Sequence, residues 1–135
     1  MHNLDVPIIL MRPPDYHPSP PIRLGEPDIV LENVARMIFA GLEISSFQFV
    51  EPPMPNQGYL CLWSGSKDGI EYEVQHGEGP HAKEYPFWIW VGLEHGKGYS
   101  DRLSEQANLV AERFSQSGWH CLVRGYISAT GELSL

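Results

Sequence analysis

Two segments with a strict two-residue alternation most constrain how this chain can fold. Residues 69–75 and 87–94 each place one set of side chains on one side and a different set on the other, which is the period of a β-strand with one buried face. The core-facing set is Ile70, Tyr72, Val74, Phe87, Ile89, Val91 and Leu93. The opposite set is Glu71, Glu73, Gln75, Trp88, Trp90 and Glu94. If the two strands pair, carboxylates and indoles share one face of a sheet, and the pattern predicts a binding surface there.

Two helices are predicted from apolar residues that recur every three or four positions. The first covers about residues 28–41, with Asp28 as N-cap and Gly41 as a left-handed stop. The second begins at Ser100 or Asp101 and is closed by Gly118. Its apolar stripe is Leu103, Ala107, Val110, Ala111 and Phe114.

Three further strands and an extended arm complete the prediction. The strands are expected at residues 44–50, 59–63 and 119–126, and the turn-forming residues 64–69 join the second of these to strand 70–76 as a hairpin. The first 27 residues hold seven of the twelve prolines, which excludes a helix and favours an arm. Within that arm, Leu4 to Met11 is apolar enough to add an edge strand or to lie along the core.

The helices each need an apolar floor, and an antiparallel sheet with one apolar face provides it. We therefore predict an α+β fold of two layers, with a mainly antiparallel sheet of about five strands and both helices on one face. The element order is arm-α-β-β-β-β-α-β. Residues 1–27 form the proline-rich arm, and residues 28–135 form a single α+β domain.

The charge of the chain indicates the kind of partner. Nine Lys and Arg against seventeen Asp and Glu give a formal charge of −8, which repels nucleic acid phosphates and anionic lipid and favours a basic protein partner. The alternative is that the charge serves solubility alone. No apolar run approaches the roughly 20 residues of a membrane span, and the apolar stretch Val6 to Met11 lacks a basic flank and a small-residue cleavage site, so secretion is not expected. With Cys61 and Cys121 in strand-like segments, reduced thiols and a cytoplasmic location are expected, a single disulfide being the alternative.

The predicted function is non-enzymatic binding through the acidic and aromatic face. An immunity protein or inhibitor that neutralises a basic toxin or nuclease has this character: small, acidic and free of catalytic motifs. The residues predicted to bind the partner are Glu71, Glu73, Trp88, Trp90, Glu94, Arg124 and Tyr126. The opposing interpretation is a strand buried on both faces, with the arm covering the indoles.

No motif of a catalytic or metal site is present, among them H-E-x-x-H, C-x-x-C, G-x-S-x-G and the phosphate-binding loops. His76 and His95 end successive strands and are predicted at opposite ends of the sheet. We expect no catalytic residue, no metal and no cofactor. The alternative function is a small enzyme or ligand-binding protein whose pocket on the open sheet face uses Trp88, Trp90, His120 and Arg124 to hold a small anion.

Overall fold

Seven antiparallel strands form one sheet, and two helices cover one of its faces. The structure is a computed structural model that describes residues 5–17, 29–50, 62–77, 79–94, 101–127 and 132–133. The strands are β1 (Asp5–Arg12), β2 (Phe47–Val50), β3 (Leu62–Lys67), β4 (Ile70–His76), β5 (Phe87–Leu93), β6 (His120–Ile127) and β7 (Glu132–Leu133). The helices are α1 (Ile29–Gly41) and α2 (Asp101–Gln116), with a short 3₁₀ helix at Gly79–Lys83. The strand order is β2-β3-β4-β5-β1-β6-β7, which confirms the α+β class with two strands more than predicted.

Strand β1 lies inside the sheet, between β5 and β6, so of the two alternatives for Leu4 to Met11 the edge strand is wrong. Its residues Ile8 to Met11 are fully buried, as a strand covered on both faces requires. Pro7 is tolerated because β5 pairs only with Ile8 to Met11, so that at Pro7 the strand has β6 as its single neighbour. The prolines indicated an arm, whereas the uninterrupted apolar run between them is an interior strand.

Both helices pack on the same face of the sheet, as predicted. The α2 stripe is buried throughout, and α1 buries Leu31, Val34, Ala35, Ile38 and Phe39. These side chains form one cluster with alternate residues of the central strands, including Ile9, Val74 and Ile89. The other face of the sheet, which we call the open face, is opposite the helices and carries the polar residues of β4.

Helix α1 ends at Gly41, but the left-handed residue that stops it is Glu43, with φ of 60°. The amide of Ile44 donates to the Phe39 carbonyl at 2.8 Å and that of Glu43 to the Ala40 carbonyl at 3.1 Å, the hydrogen-bond pair of a Schellman cap. Gly41 has a different role: a Cβ there would lie 2.7 Å from the Phe114 ring. The glycine therefore permits close packing of α1 on α2.

Helix α2 ends as predicted. Gly118 is left-handed, with φ of 92°, and the Trp119 amide donates to the Phe114 carbonyl at 3.1 Å. A Schellman cap therefore ends both helices, with Glu43 as the left-handed residue of α1 and Gly118 as that of α2.

The hairpin between β3 and β4 is confirmed, but its turn is shorter than predicted. Only Asp68 and Gly69 form the turn, with φ of 54° and 80°, as a type I′ turn requires. Residues 64–67 belong to β3, which pairs with β4 from Leu62 to Lys67. The small polar residues of this segment suggested a loop, whereas they line a strand near the sheet edge.

Several predictions fall outside the described residues: the Asp28 cap, the Ser100 cap, His95 and the arm from residue 18 to 27. Cys121 carries a free thiol, and Cys61 lies outside the described residues. Burial raises the pKa of that thiol. In the described part of the chain, no helix has both the length and the apolar character of a membrane span.

Candidate binding surface

The predicted acidic surface exists on the open face and is built by strand register. β4 alternates Glu71 and Glu73 outward, while Tyr72 and Val74 enter the core. Glu73 stands between Ser64 of β3 and Trp90 of β5, its direct cross-strand neighbours. We call the surface formed by Ser64, Glu71, Glu73 and Trp90 the acidic patch. It brings together three of the predicted site residues.

The two carboxyl groups of the patch are close, and no counter-ion for them is found among the described residues. Both Glu71 and Glu73 are half-buried, and the Ser64 hydroxyl donates to Glu71 Oε1 at 2.9 Å. Burial raises the pKa of the Glu73 carboxyl, and the charge of Glu71 and a hydrogen bond to it raise that pKa further. Among the described residues no Lys, Arg or His forms an ion pair with either group. The patch therefore holds two neighbouring acidic groups in a partly desolvated place, where a full charge on both is unfavourable.

Glu73→Gln is expected to stabilise the protein by roughly 0.5 kcal/mol at neutral pH, a small effect because solvent screens the half-exposed group. With its folded-state pKa raised, Glu73 binds a proton more tightly in the folded protein than in the unfolded chain. Stability of the wild type therefore falls as the pH rises from the ordinary pKa of 4.5 through the folded-state pKa. The advantage of the variant should disappear below this interval.

Urea unfolding of both proteins at about pH 7 and about pH 4 measures this difference. The control is Glu105→Gln, which removes an exposed carboxylate from α2 and should leave stability nearly unchanged at both pH values. A Glu73→Gln protein less stable than the wild type at neutral pH would contradict a carboxyl group that has no cation partner among the described residues.

A shallow pocket of about 310 Å³ adjoins the patch above β3. Its floor is made by Ser64, Gly65 and Ser66, and its walls by Glu71 on one side and by residues 46–48 on the other. The β3 residues of this lining are small, and the larger neighbouring side chains rise above them, so the open face has a depression here. The pocket extends the patch toward the edge strand β2 with hydroxyl and amide groups.

The two tryptophans have different environments, and Trp88, one of the residues predicted to bind the partner, is buried. Trp88 is only 5% exposed and packs with Ile8, Leu10 and Tyr85. Its indole Nε1 is buried and has no hydrogen-bond partner among the described residues. Trp90 is half-buried, and its indole N–H donates to Gln75 Oε1 at 2.8 Å. Only Trp90 therefore presents part of its ring on the open face.

The cover over Trp88 comes from the segment that precedes β5. The Tyr85 ring stacks on His120 with 5.1 Å between centroids, and its hydroxyl lies 3.2 Å from His120 Nε2. His120 Nε2 is also 3.3 Å from Glu84 Oε1, and Arg12 donates to the Lys83 carbonyl at 3.1 Å. These contacts fix the segment to β1 and β6. Ile8 to Met11 of the predicted arm lie beside β5 within the sheet, so this part of the arm does not cross over the indoles.

Of the remaining predicted residues, Glu94 and Arg124 flank the patch. Glu94 is exposed after β5, and its amide donates to the Gly69 carbonyl at 2.9 Å. Arg124 is half-buried on β6, separated from Trp90 by Ile8, a distance of about 10 Å for two strand spacings. Tyr126 pairs through its backbone with Val6, and its side chain lies outside the described residues.

The four residues of the alternative small-anion site do not converge on one pocket. Trp88 lies beneath Tyr85, His120 is stacked against that tyrosine, and Arg124 donates to the Val123 carbonyl at 3.0 Å. Of the residues that the structure describes, no three His, Cys, Asp or Glu side chains come close enough to hold a metal ion. The expectations of no metal and no cofactor stay predictions.

Three residues of this surface were missed from the sequence: Ser64, Ser66 and Tyr85. A local signal existed for the serines, because Leu62, Ser64 and Ser66 continue the two-residue period up to the Asp-Gly turn. No local signal existed for Tyr85, because its position over Trp88 depends on contacts with strands distant in sequence. Comparisons of the chain with protein-family models, with curated proteins and with solved structures found no match.

Proposed function

We propose that the acidic patch binds a basic protein partner and that the protein acts by occupying it, without catalysis. The observation that supports this proposal is the pair of half-buried carboxyl groups of Glu71 and Glu73, which form no ion pair with a Lys, Arg or His among the described residues. A partner that supplies an Arg or Lys side chain would remove the repulsion between these groups. Relief of this repulsion would then contribute favourably to the free energy of binding.

Unfavourable charge arrangements of this kind are concentrated at functional sites, because folding alone gives no reason to keep them. On a sheet built for stability alone, the position of Glu73 between Ser64 and Trp90 would suit an uncharged residue. The pKa of the Glu73 carboxyl is raised, which means that the folded protein disfavours its ionised form. Binding of a cation explains why it is retained.

Trp90 supports the same surface for a different reason. It is the direct cross-strand neighbour of Glu73, and its ring is fixed by the hydrogen bond to Gln75. A rigid, partly exposed indole beside a carboxylate is a typical anchor in protein interfaces and also accepts a cation over its ring. Glu94 and Arg124 then form the rim, where charges steer the partner more than they hold it.

Within this class of partner, we propose a basic toxin or nuclease, which makes the protein an immunity protein or inhibitor acting in the cytoplasm. Basic clefts that bind phosphate are natural targets for a surface with adjacent carboxylates. The formal charge of −8 supports rapid association with such a partner.

Replacing both Glu71 and Glu73 by Gln is expected to abolish capture of the partner. The protein is purified from the cells that produce it, and the proteins that elute with wild type and variant are compared. The control, Glu105→Gln with Glu112→Gln, removes the same charge from the exposed side of α2 and should retain the partner. With the partner identified, the association rate should fall by about tenfold in the patch variant, and its dependence on salt should flatten.

Two outcomes would contradict the proposal. A partner captured equally by the patch variant and the control would place the interface elsewhere. A bound small molecule in place of a protein would favour the ligand-binding alternative, with the 310 Å³ pocket as its site.

A further inference from the structure

A second pocket opens on the helix side of the sheet, away from the acidic patch. Its volume is about 200 Å³, and it lies between α2 and the β3–β4 hairpin. Drug-sized ligands occupy sites of about 300–1,000 Å³, so this one suits a smaller molecule or the last residue of a peptide. It takes no part in the proposed partner surface.

Cations are concentrated around this pocket. Lys67, Arg102 and Arg113 line it, three of only nine Lys and Arg in a chain whose net charge is −8. Asp68 is the acidic residue of the lining, and the carboxylate of Glu43 contacts Lys67 from outside the lining. Three cations against two carboxylates make this place locally positive in an acidic protein.

Glu43 contacts two of these cations but holds them weakly. Its carboxylate lies 3.3 Å from Lys67 Nζ and 3.9 Å from Arg113 Nη2. The side chain of Glu43 is 69% exposed, and ion pairs in solvent contribute at most about 1 kcal/mol. Glu43 is also the left-handed residue of the α1 cap, which fixes its backbone next to Leu42 of the pocket lining. An incoming anion can therefore replace its carboxylate.

The inner part of the pocket offers a hydrogen-bond donor. Tyr72 is 3% exposed, and its hydroxyl oxygen accepts a hydrogen bond from Gln106 Nε2 at 3.0 Å. Burial raises the pKa of this hydroxyl, so that it keeps its proton at neutral pH. Its hydrogen is therefore available for an acceptor on a ligand.

One wall of the pocket is apolar. Leu42 and Val110 are buried there, while Leu109 is 61% exposed on the outer side of α2. A ligand with an apolar body would cover part of Leu109, which is favourable at about 25 cal/mol per Å².

We propose that this pocket binds a carboxylate carried on a small apolar body. Lys67, Arg113 and the Tyr72 hydroxyl hold the carboxylate oxygens, and the body packs on Leu109 and Val110. This chemistry is shared by the free C-terminus of a peptide that ends in an aliphatic residue and by a small branched carboxylic acid.

N-acetylleucine is the probe that tests the proposal, and N-acetylleucinamide is its uncharged control of the same shape. In ¹⁵N-labelled full-length protein, saturable shifts of the Gln106 side-chain amide and the Leu109 amide are expected with the acid. The amide should bind at least about tenfold more weakly, because it cannot form charge-assisted hydrogen bonds.

Two exposed substitutions should act in opposite directions. Arg113→Gln should weaken binding of N-acetylleucine about tenfold, whereas Glu43→Gln should strengthen it several-fold by removing the competing carboxylate. Unfolding curves of both variants verify that the fold is intact. Equal affinity for the acid and the amide, no saturable shift, or weaker binding to the Glu43→Gln protein would each overturn the proposal.

A peptide with a free C-terminal leucine and isovalerate then distinguish the two sources of the carboxylate. Tighter binding of the peptide, lost on C-terminal amidation, assigns the site to a peptide terminus. Tighter binding of isovalerate assigns it to a small acid, and either result supports the carboxylate site.

Discussion

Phe114→Ala is expected to destabilise the protein by about 3–5 kcal/mol. Phe114 is 5% exposed at the end of the α2 stripe and meets the Trp119 ring edge-on, with 5.2 Å between centroids. Its other side packs against Gly41 of α1, where the backbone comes close enough to exclude a Cβ. The ring therefore joins both helices, and neither can move into the cavity without losing its place on the sheet. Urea denaturation with a shared m-value measures the loss.

Leu109→Ala is the matched control on the same helix. Leu109 is 61% exposed, so the same kind of truncation should change the free energy of unfolding by no more than about 0.5 kcal/mol. Equal losses from the two substitutions would show that the α2 stripe does not face the core.

Gly41→Ala adds a second measurement of the same contact. Its methyl group would lie 2.7 Å from Phe114 Cζ in the wild type, so we expect a substantial loss of stability there. In the Phe114→Ala background the clash is absent, and the loss should largely disappear. A double-mutant cycle without coupling would contradict the close approach of α1 to α2.

The α2 stripe was predictable because its signal is local. Five apolar residues at helical spacing and a glycine at the end determine the buried face and the stop of that helix, whatever lies beneath it. The outward direction of Glu71 and Glu73 was predictable for the same reason, since a two-residue period fixes which side chains share a face.

What was not predictable depends on neighbours distant in sequence. The run Ile8 to Met11 is compatible with an edge or an interior strand, and only its pairing with both β5 and β6 decides between them. The different environments of the two tryptophans follow from that pairing and from Tyr85, which reaches Trp88 through contacts with β6. The absence of a described cation near Glu73 likewise depends on the whole sheet, because any strand next to β4 was free to supply one.

Trp88→Ala is expected to cost about 3–5 kcal/mol of stability, while Trp90→Ala costs clearly less. Trp88 is almost fully buried with Ile8, Leu10 and Tyr85, so its removal leaves a cavity between the sheet and the segment that covers it. Trp90 is half-buried and leaves a smaller one. For binding the order should reverse: Trp90→Ala should weaken binding of the proposed partner by about 2 kcal/mol or more.

Trp88→Phe separates the packing of the ring from its indole N–H, which has no hydrogen-bond partner among the described residues. A buried donor without a partner costs about 1–3 kcal/mol, and phenylalanine removes that donor while it fills most of the space. We therefore expect a net change below about 1 kcal/mol for this variant, because the smaller ring and the lost penalty act in opposite directions. If Trp88→Phe were as destabilising as Trp88→Ala, the indole nitrogen would have to be hydrogen-bonded in the folded protein. Trp88 would then stabilise the open face through a polar contact, and burial of its ring would be the smaller part of its contribution.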